Sequence, residues 1–193
     1  MKKLVFLLMA ILVAGSAFAV VDTDTNSMGF YFDEEGNMPT IEVPNPYTPI
    51  TGYILIANPD FGLLNAFEVG MILDGPYIAL EVTLPVPGLN IGDANNMLVG
   101  YGTPILVEGD VVLAATVTFL YSDPSQPLFI ELTNSTPDST PEFPGLPSAV
   151  VNGDAEQLIP LALSAFEAPA AAINGSVVAT HSTTLDNIKS LYR

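Results

Sequence analysis

Acidic and amide side chains near the start of the chain have the spacing of ligands in a calcium-binding loop. Asp22, Asp24 and Asn26 place carboxylate or amide oxygens at alternate positions, and Asp33 follows seven residues after Asn26. Oxygen ligands of these types bind calcium in proteins. The sequence therefore offers a candidate calcium site made of Asp22, Asp24, Asn26 and Asp33, and it predicts no other cofactor.

The same segment also departs from the pattern of a calcium loop. Ser27 stands where such a loop has its turn glycine, Asp33 replaces the usual closing glutamate, and residues 28–32 alternate like a strand. The alternative is a solvated acidic segment. Such a segment would bind divalent ions weakly and without specificity, because any cation relieves the repulsion within an acidic body.

Groups that could support catalysis are scarce. His181 is the only histidine and lies in a polar stretch, so Ser-His-Asp chemistry has no base inside the predicted fold. The absence of cysteine excludes thiol chemistry and cysteine-ligated metals. Carboxylate pairs of the glycosidase type remain open among 21 acidic residues, although the chain has no tryptophan to stack on a sugar. We expect that the protein is not an enzyme.

Tyrosine rings could stack on a sugar ligand instead. The candidates recur along the predicted strands: Tyr31, Tyr53, Tyr77, Tyr101 and Tyr121. Tyrosine in a strand either presents its ring to a ligand or packs against the core and the neighbouring strands. The sequence therefore leaves a glycan partner open, beside a protein or surface partner.

The distribution of charge excludes several classes of partner. All four basic residues lie at the ends of the chain, Lys2 and Lys3 at one end and Lys189 and Arg193 at the other. The body between them carries the 21 acidic residues and no lysine or arginine. Such a polyanion repels DNA, RNA and anionic lipid, so no nucleic-acid partner is expected.

The first 19 residues have the features of a signal peptide. Lys2 and Lys3 precede an unbroken apolar run over residues 4–13, and Ala17-Phe18-Ala19 forms a small-x-small cleavage site. An apolar run of this length falls short of the roughly 20 residues that a spanning helix needs. The sequence predicts export of a mature chain to the periplasm, cell surface or exterior, without a membrane span.

Short alternating runs indicate strands throughout residues 20–179. In residues 111–120 the alternation places Leu113, Ala115, Val117 and Phe119 on one face and the threonines on the other. Further runs cover residues 28–32, 52–57, 66–73, 77–84, 97–101, 128–132, 149–151, 158–163 and 171–179, with Gly, Pro, Asn and Asp between them. We predict one all-β domain, an antiparallel β-sandwich or jelly roll of about nine strands.

Part of this pattern resembles a known family. The run LNAFEVGMILD at residues 64–74, then Gly92-Asp93, then VVLAATVTF at residues 111–119 resemble the order of strands in cohesin-like domains of the cohesin and carbohydrate-binding sandwich group. The similarity covers residues 52–132. Cohesins hold a dockerin partner on one sheet face without doing chemistry, so the resemblance implies a binding or scaffolding role.

The last residues, 180–193, form a second unit. A polar linker leads to Leu185, Ile188 and Leu191 at helical spacing, with Lys189 and Arg193 near the end. This pattern predicts a short amphipathic C-terminal helix. It either docks on the sandwich or acts as a sorting or attachment signal, because the ending KSLYR resembles tails of secreted bacterial proteins.

These observations favour one function over another. We expect a secreted, non-enzymatic binding or structural module, located at a surface or outside the cell. The alternative is a small carbohydrate-binding or carbohydrate-active domain.

Overall fold

The computed structural model describes residues 24–153, 156–165 and 169–177, which form thirteen β-strands and no α-helix. The strands are β1 (Ser27–Tyr31), β2 (Thr40–Ile41), β3 (Thr48–Ala57), β4 (Leu63–Asp74), β5 (Tyr77–Thr83), β6 (Gly88–Asn90), β7 (Asn96–Leu106), β8 (Val111–Tyr121), β9 (Leu128–Thr133), β10 (Ser148–Val151), β11 (Gln157–Pro160), β12 (Ala162–Leu163) and β13 (Ala171–Ile173). The all-β prediction is confirmed. The predicted signal peptide and C-terminal helix lie outside the described residues.

Two sheets enclose one core. The smaller sheet has the strand order β12-β1-β3-β8-β5, and the larger has β11-β10-β4-β9-β13-β2. β7 extends the larger sheet from the other edge of β4, and β6 pairs with β7. Most pairs are antiparallel, as predicted, but β1–β12 and β13–β2 are parallel. The strand count exceeds nine partly because β2 and β6 have only two and three residues, too few to produce a pattern.

Alternating apolar residues of both sheets meet in the core. The smaller sheet contributes Phe30, Ile54 and Val117, and the larger sheet contributes Phe67 and Ile130, all of them buried. Because side chains alternate across a strand, every second residue of each sheet points away from this core. The outer face of the larger sheet therefore carries its own set of side chains.

A β-bulge in β8 changes the face that the sequence predicts for one residue. The ladder with β3 pairs Ile54 with Ala115 and Leu55 with Leu113, so Ala114 is an extra residue. Both Ala114 and Ala115 are buried, and Leu113 is only half-buried. The prediction that Leu113 shares a face with Ala115 is wrong, because a bulge shifts the alternation by one residue.

Residues 158–163, predicted as one strand, contribute to both sheets. β11 pairs with β10 in the larger sheet, whereas β12 pairs with β1 in the smaller sheet. Leu161 lies between them and is fully buried. The chain therefore crosses from one sheet to the other at Leu161 and ties them together.

β5 forms one edge of the smaller sheet. Its ladder with β8 is interrupted between Ile78 and Glu81, where Ala79 has a positive φ of 58°. Pro76 precedes the strand and Pro85 follows it closely. The edge is therefore kinked and flanked by residues that cannot donate backbone hydrogen bonds.

Candidate functional site

Glu68 is a carboxylate buried on the outer face of the larger sheet. In β4, Phe67, Val69 and Met71 point into the core, so the alternation sends Ala66 and Glu68 to the opposite face. Glu68 is nevertheless only 4% exposed. Other parts of the chain must therefore cover its side chain and satisfy its oxygens.

Four hydroxyl groups surround this carboxylate. Oε2 of Glu68 accepts hydrogen bonds from Ser135, at 2.8 Å, and from Ser139. Its Oε1 accepts bonds from Thr140 and from Ser148, the latter at 3.0 Å. Ser148 stands directly opposite Glu68 in the β4–β10 ladder, and the other three belong to the connection between β9 and β10. We call Glu68 and its four donors the Glu68 cluster.

The cluster stabilises the ionised form of Glu68. Burial raises the pKa of this carboxyl, but the hydrogen bonds from the four hydroxyls together hold it below its ordinary value of 4.5. No lysine or arginine occurs in residues 24–177, so within this part of the chain the charge is balanced by hydroxyl dipoles alone. A carboxylate with a lowered pKa is a weak base near neutral pH, which makes Glu68 unsuited to proton transfer.

An apolar groove lies beside the Glu68 cluster. The ladders place Leu89, Gly100, Ala66, Val150 and Leu158 in one row across β6, β7, β4, β10 and β11. The small residues at Gly100 and Ala66 form a floor, and the large residues on both sides form walls. The result is a cavity of about 350 Å³, lined mainly by carbon.

The groove walls are exposed to solvent. Leu89 is 65% exposed and Leu158 is 41% exposed, and Ile91, which also lines the groove, is 73% exposed. At the other end of the lining, Glu68, Ser139, Thr140 and Ser148 contribute polar atoms. The groove is therefore an apolar surface with one polar, negatively charged end.

Gly100 is the residue that keeps the groove floor low. A Cβ atom added at this position would meet no other atom within 4 Å, so the backbone leaves open space above it. A side chain at residue 100 would consequently start in open space and extend into the groove. This position gives direct experimental control over the cavity.

The structure gives separate partners to the residues of the predicted calcium site. The side chain of Asn26 donates a hydrogen bond to Asp60 Oδ1 at 2.8 Å. Asp33 Oδ1 accepts hydrogen bonds from the backbone N–H groups of Asn37 and Met38. β1 separates Asn26 from Asp33, and a strand of five residues spans about 17 Å, too far for two ligands of one ion. Asn26 and Asp33 are therefore not brought together.

The remaining calcium candidates are Asp22 and Asp24. Asp22 lies outside the described residues, and the backbone oxygen of Asp24 accepts a hydrogen bond from Asn58 at 3.1 Å. Among residues 24–153, 156–165 and 169–177, no group of three or more His, Cys, Asp or Glu side chains could hold a metal ion. A calcium site at the start of the chain stays a prediction.

Most of the tyrosines considered as sugar platforms are packed inside the domain. Tyr31 and Tyr121 are buried, and Tyr77 packs edge-on against Phe119. The hydroxyl of Tyr101, on the larger sheet, donates to the backbone oxygen of Ala114, on the smaller sheet, at 2.5 Å. The packing alternative therefore applies to these four rings, whereas Tyr53 is half-buried.

The Glu68 cluster and the groove were not among the residues that sequence reasoning selected. The alternation of β4 and the hydroxyl-rich stretch at residues 133–140 were visible signals, but the donors lie 67 to 80 residues from Glu68. His181 lies outside the described residues. The described part of the chain contains no helix long and apolar enough to cross a membrane.

Comparison with protein-family models, with curated proteins and with solved structures gave no match to this chain. The geometry of the groove and of the Glu68 cluster therefore carries the functional argument.

Proposed function

We propose that this protein is a secreted, non-enzymatic binding module and that the groove beside Glu68 is its binding surface. The observation that carries the proposal is the row from Leu89 to Leu158, which combines a floor of small residues with exposed leucine walls. Contiguous exposed apolar surface on a folded domain is typical of a binding site.

Two further observations support binding rather than catalysis, and a third concerns location. Among the described residues that line the groove, Glu68 is the only ionisable one, and its lowered pKa disfavours acid–base catalysis. The resemblance to cohesin-like domains implies a partner held on a sheet face. The signal-peptide pattern of residues 1–19 supports action at a surface or outside the cell.

A groove-filling variant tests the proposal. Gly100→Leu fills the cavity, whereas Gly62→Leu places the same side chain at another glycine whose Cβ would also meet no atom within 4 Å and which does not line the groove. We expect the uncharged dye Nile red to fluoresce with the wild type and with Gly62→Leu, and to lose most of that signal with Gly100→Leu. Equal fluorescence from all three proteins would contradict the proposal.

The alternative of a carbohydrate-binding or carbohydrate-active domain is tested separately. Glycan-array binding or sugar hydrolysis by the mature wild-type chain would favour it. The packed tyrosines leave that alternative with less support than the groove.

A further inference from the structure

We infer that the occupant of the groove is a single peptide segment of a partner protein that combines leucine-like side chains with lysine or arginine. This inference rests on the proposed binding function and adds the chemical class of the ligand.

Three acidic residues lie close in sequence to residues that line the groove. Asp93 lies two residues after Ile91, Glu142 two residues after Thr140, and Glu156 two residues before Leu158. All three are exposed. Glu68 itself lines the groove, so the apolar floor has one carboxylate in its lining and belongs to a body that carries only acidic charges.

The domain supplies no basic side chain to compensate this charge. Residues 24–177 contain no lysine or arginine, so a cation at the groove must come from outside this part of the chain. Glu68 is buried at the groove, so it interacts with a bound cation more strongly than a charge in open water does, because the local dielectric constant is lower. A ligand with apolar and basic groups is therefore complementary to both properties of the groove, and an acidic ligand is repelled.

The width of the groove fits one peptide segment. Leu89 on β6 and Val150 on β10 stand three strand spacings apart, which is about 14 Å. The free width is smaller than this backbone separation, because the wall side chains occupy part of it, so the groove admits at most one helix, about 10–12 Å in diameter, or one extended strand. A second layer of structure does not fit, so the ligand enters as a single segment.

Matched synthetic peptides test the inference. One alternates leucine with lysine, a second alternates leucine with glutamate, and both are titrated into the full mature chain by fluorescence anisotropy. We expect the lysine peptide to bind and the glutamate peptide not to bind. For Gly100→Leu we expect affinity for the lysine peptide to fall by about tenfold or more, since loss of one buried leucine contact accounts for that much.

Two controls separate groove binding from general attraction to a polyanion. Gly62→Leu has the same net charge as Gly100→Leu and should bind the lysine peptide like the wild type. The double variant Glu142→Gln, Glu156→Gln leaves the groove floor unchanged. It should lower the affinity for the lysine peptide several-fold and leave Nile red binding unaffected.

The outcomes distinguish the inference from the proposed function. If the lysine peptide binds Gly100→Leu as tightly as the wild type, or if the glutamate peptide binds equally well, the inference is wrong. Nile red binding that depends on residue 100, without any peptide binding, would overturn the peptide ligand and leave the binding function standing. Binding to phosphatidylcholine vesicles, without binding to the lysine peptide, would likewise overturn the inference of a peptide ligand.

Discussion

Removal of the Glu68 carboxylate should destabilise the domain by a predictable amount. In Glu68→Leu the hydroxyls of Thr140 and Ser148, which are 7% and 2% exposed, lose their acceptor. Ser135 keeps a second acceptor, the backbone oxygen of Pro137 at 3.1 Å, and Ser139 is exposed to water. Each buried unsatisfied hydroxyl costs about 1–3 kcal/mol, so the two together cost about 4 kcal/mol.

A cost of this size is readily measured. It corresponds to a decrease in melting temperature of about 10 °C for a domain of this length. Urea unfolding followed by far-UV circular dichroism should show a lower midpoint with an unchanged m-value. Glu142→Gln, at an exposed position, is the control and should leave the midpoint unchanged.

The pH dependence of the free energy of unfolding separates the contribution of the Glu68 charge from that of the side-chain volume. Glu68→Gln keeps the side-chain volume but does not titrate. Because the pKa of Glu68 is lower in the folded state than its ordinary 4.5, ionised Glu68 contributes stability that is fully present above pH 4.5 and is lost as the pH falls through the lower, folded value. The other carboxylates are common to both proteins and cancel in the comparison.

The difference in unfolding free energy between wild type and Glu68→Gln should therefore be largest near pH 7 and decrease below pH 4.5. Unfolding curves at low protein concentration across this range measure it. A difference that stays constant down to about pH 3, or a Glu68→Leu variant as stable as the wild type, would refute the role assigned to the cluster.

Three other predictions concern the core, the net charge and calcium. Gly52→Ala places a methyl group against the buried Phe30 ring and should lower the free energy of unfolding by about 1–3 kcal/mol. In the control Gly62→Ala the added methyl group meets no atom within 4 Å, so the melting temperature should stay unchanged, whereas that of Gly52→Ala should fall. Lowering the pH toward the sequence pI of about 4.1 should increase turbidity as net repulsion decreases, and a clear, monomeric solution at pH 4 would contradict this. If Asp22 and Asp24 bind calcium without Asn26 and Asp33 in one site, millimolar calcium should raise the melting temperature more than magnesium does, and Asp24→Ala should abolish the difference. Equal shifts from both ions would leave only nonspecific binding.

Local patterns predicted the class of fold well. Period-two alternation located β1, β4, β8 and β9 within a few residues, because each strand buries one face against the core. The same rule failed at Leu113, since the bulge at Ala114 depends on pairing with β3 and has no local signature. It also failed at Leu161, where one apolar run serves two sheets.

The candidate site was harder to predict than the fold. The alternation of β4 assigns Glu68 to the outer face, which suggests a solvated side chain. Its burial depends on Ser135, Thr140 and Ser148, which reach it only through strand pairing between distant parts of the chain. The groove floor has the same origin, because Gly100 and Ala66 become neighbours only in the β4–β7 ladder.

The kinked edge strand β5 affects whether copies of the domain can associate by pairing the edges of their sheets. A flat edge strand has a row of unpaired backbone donors and acceptors with which a strand of another chain can pair. Such pairing is the first step toward fibrils. Here Ala79 breaks that row, and exposed Glu81 places a negative charge where an incoming copy would also carry one. The smaller sheet thus ends at β5, and the domain resists polymerisation along this edge even at high concentration.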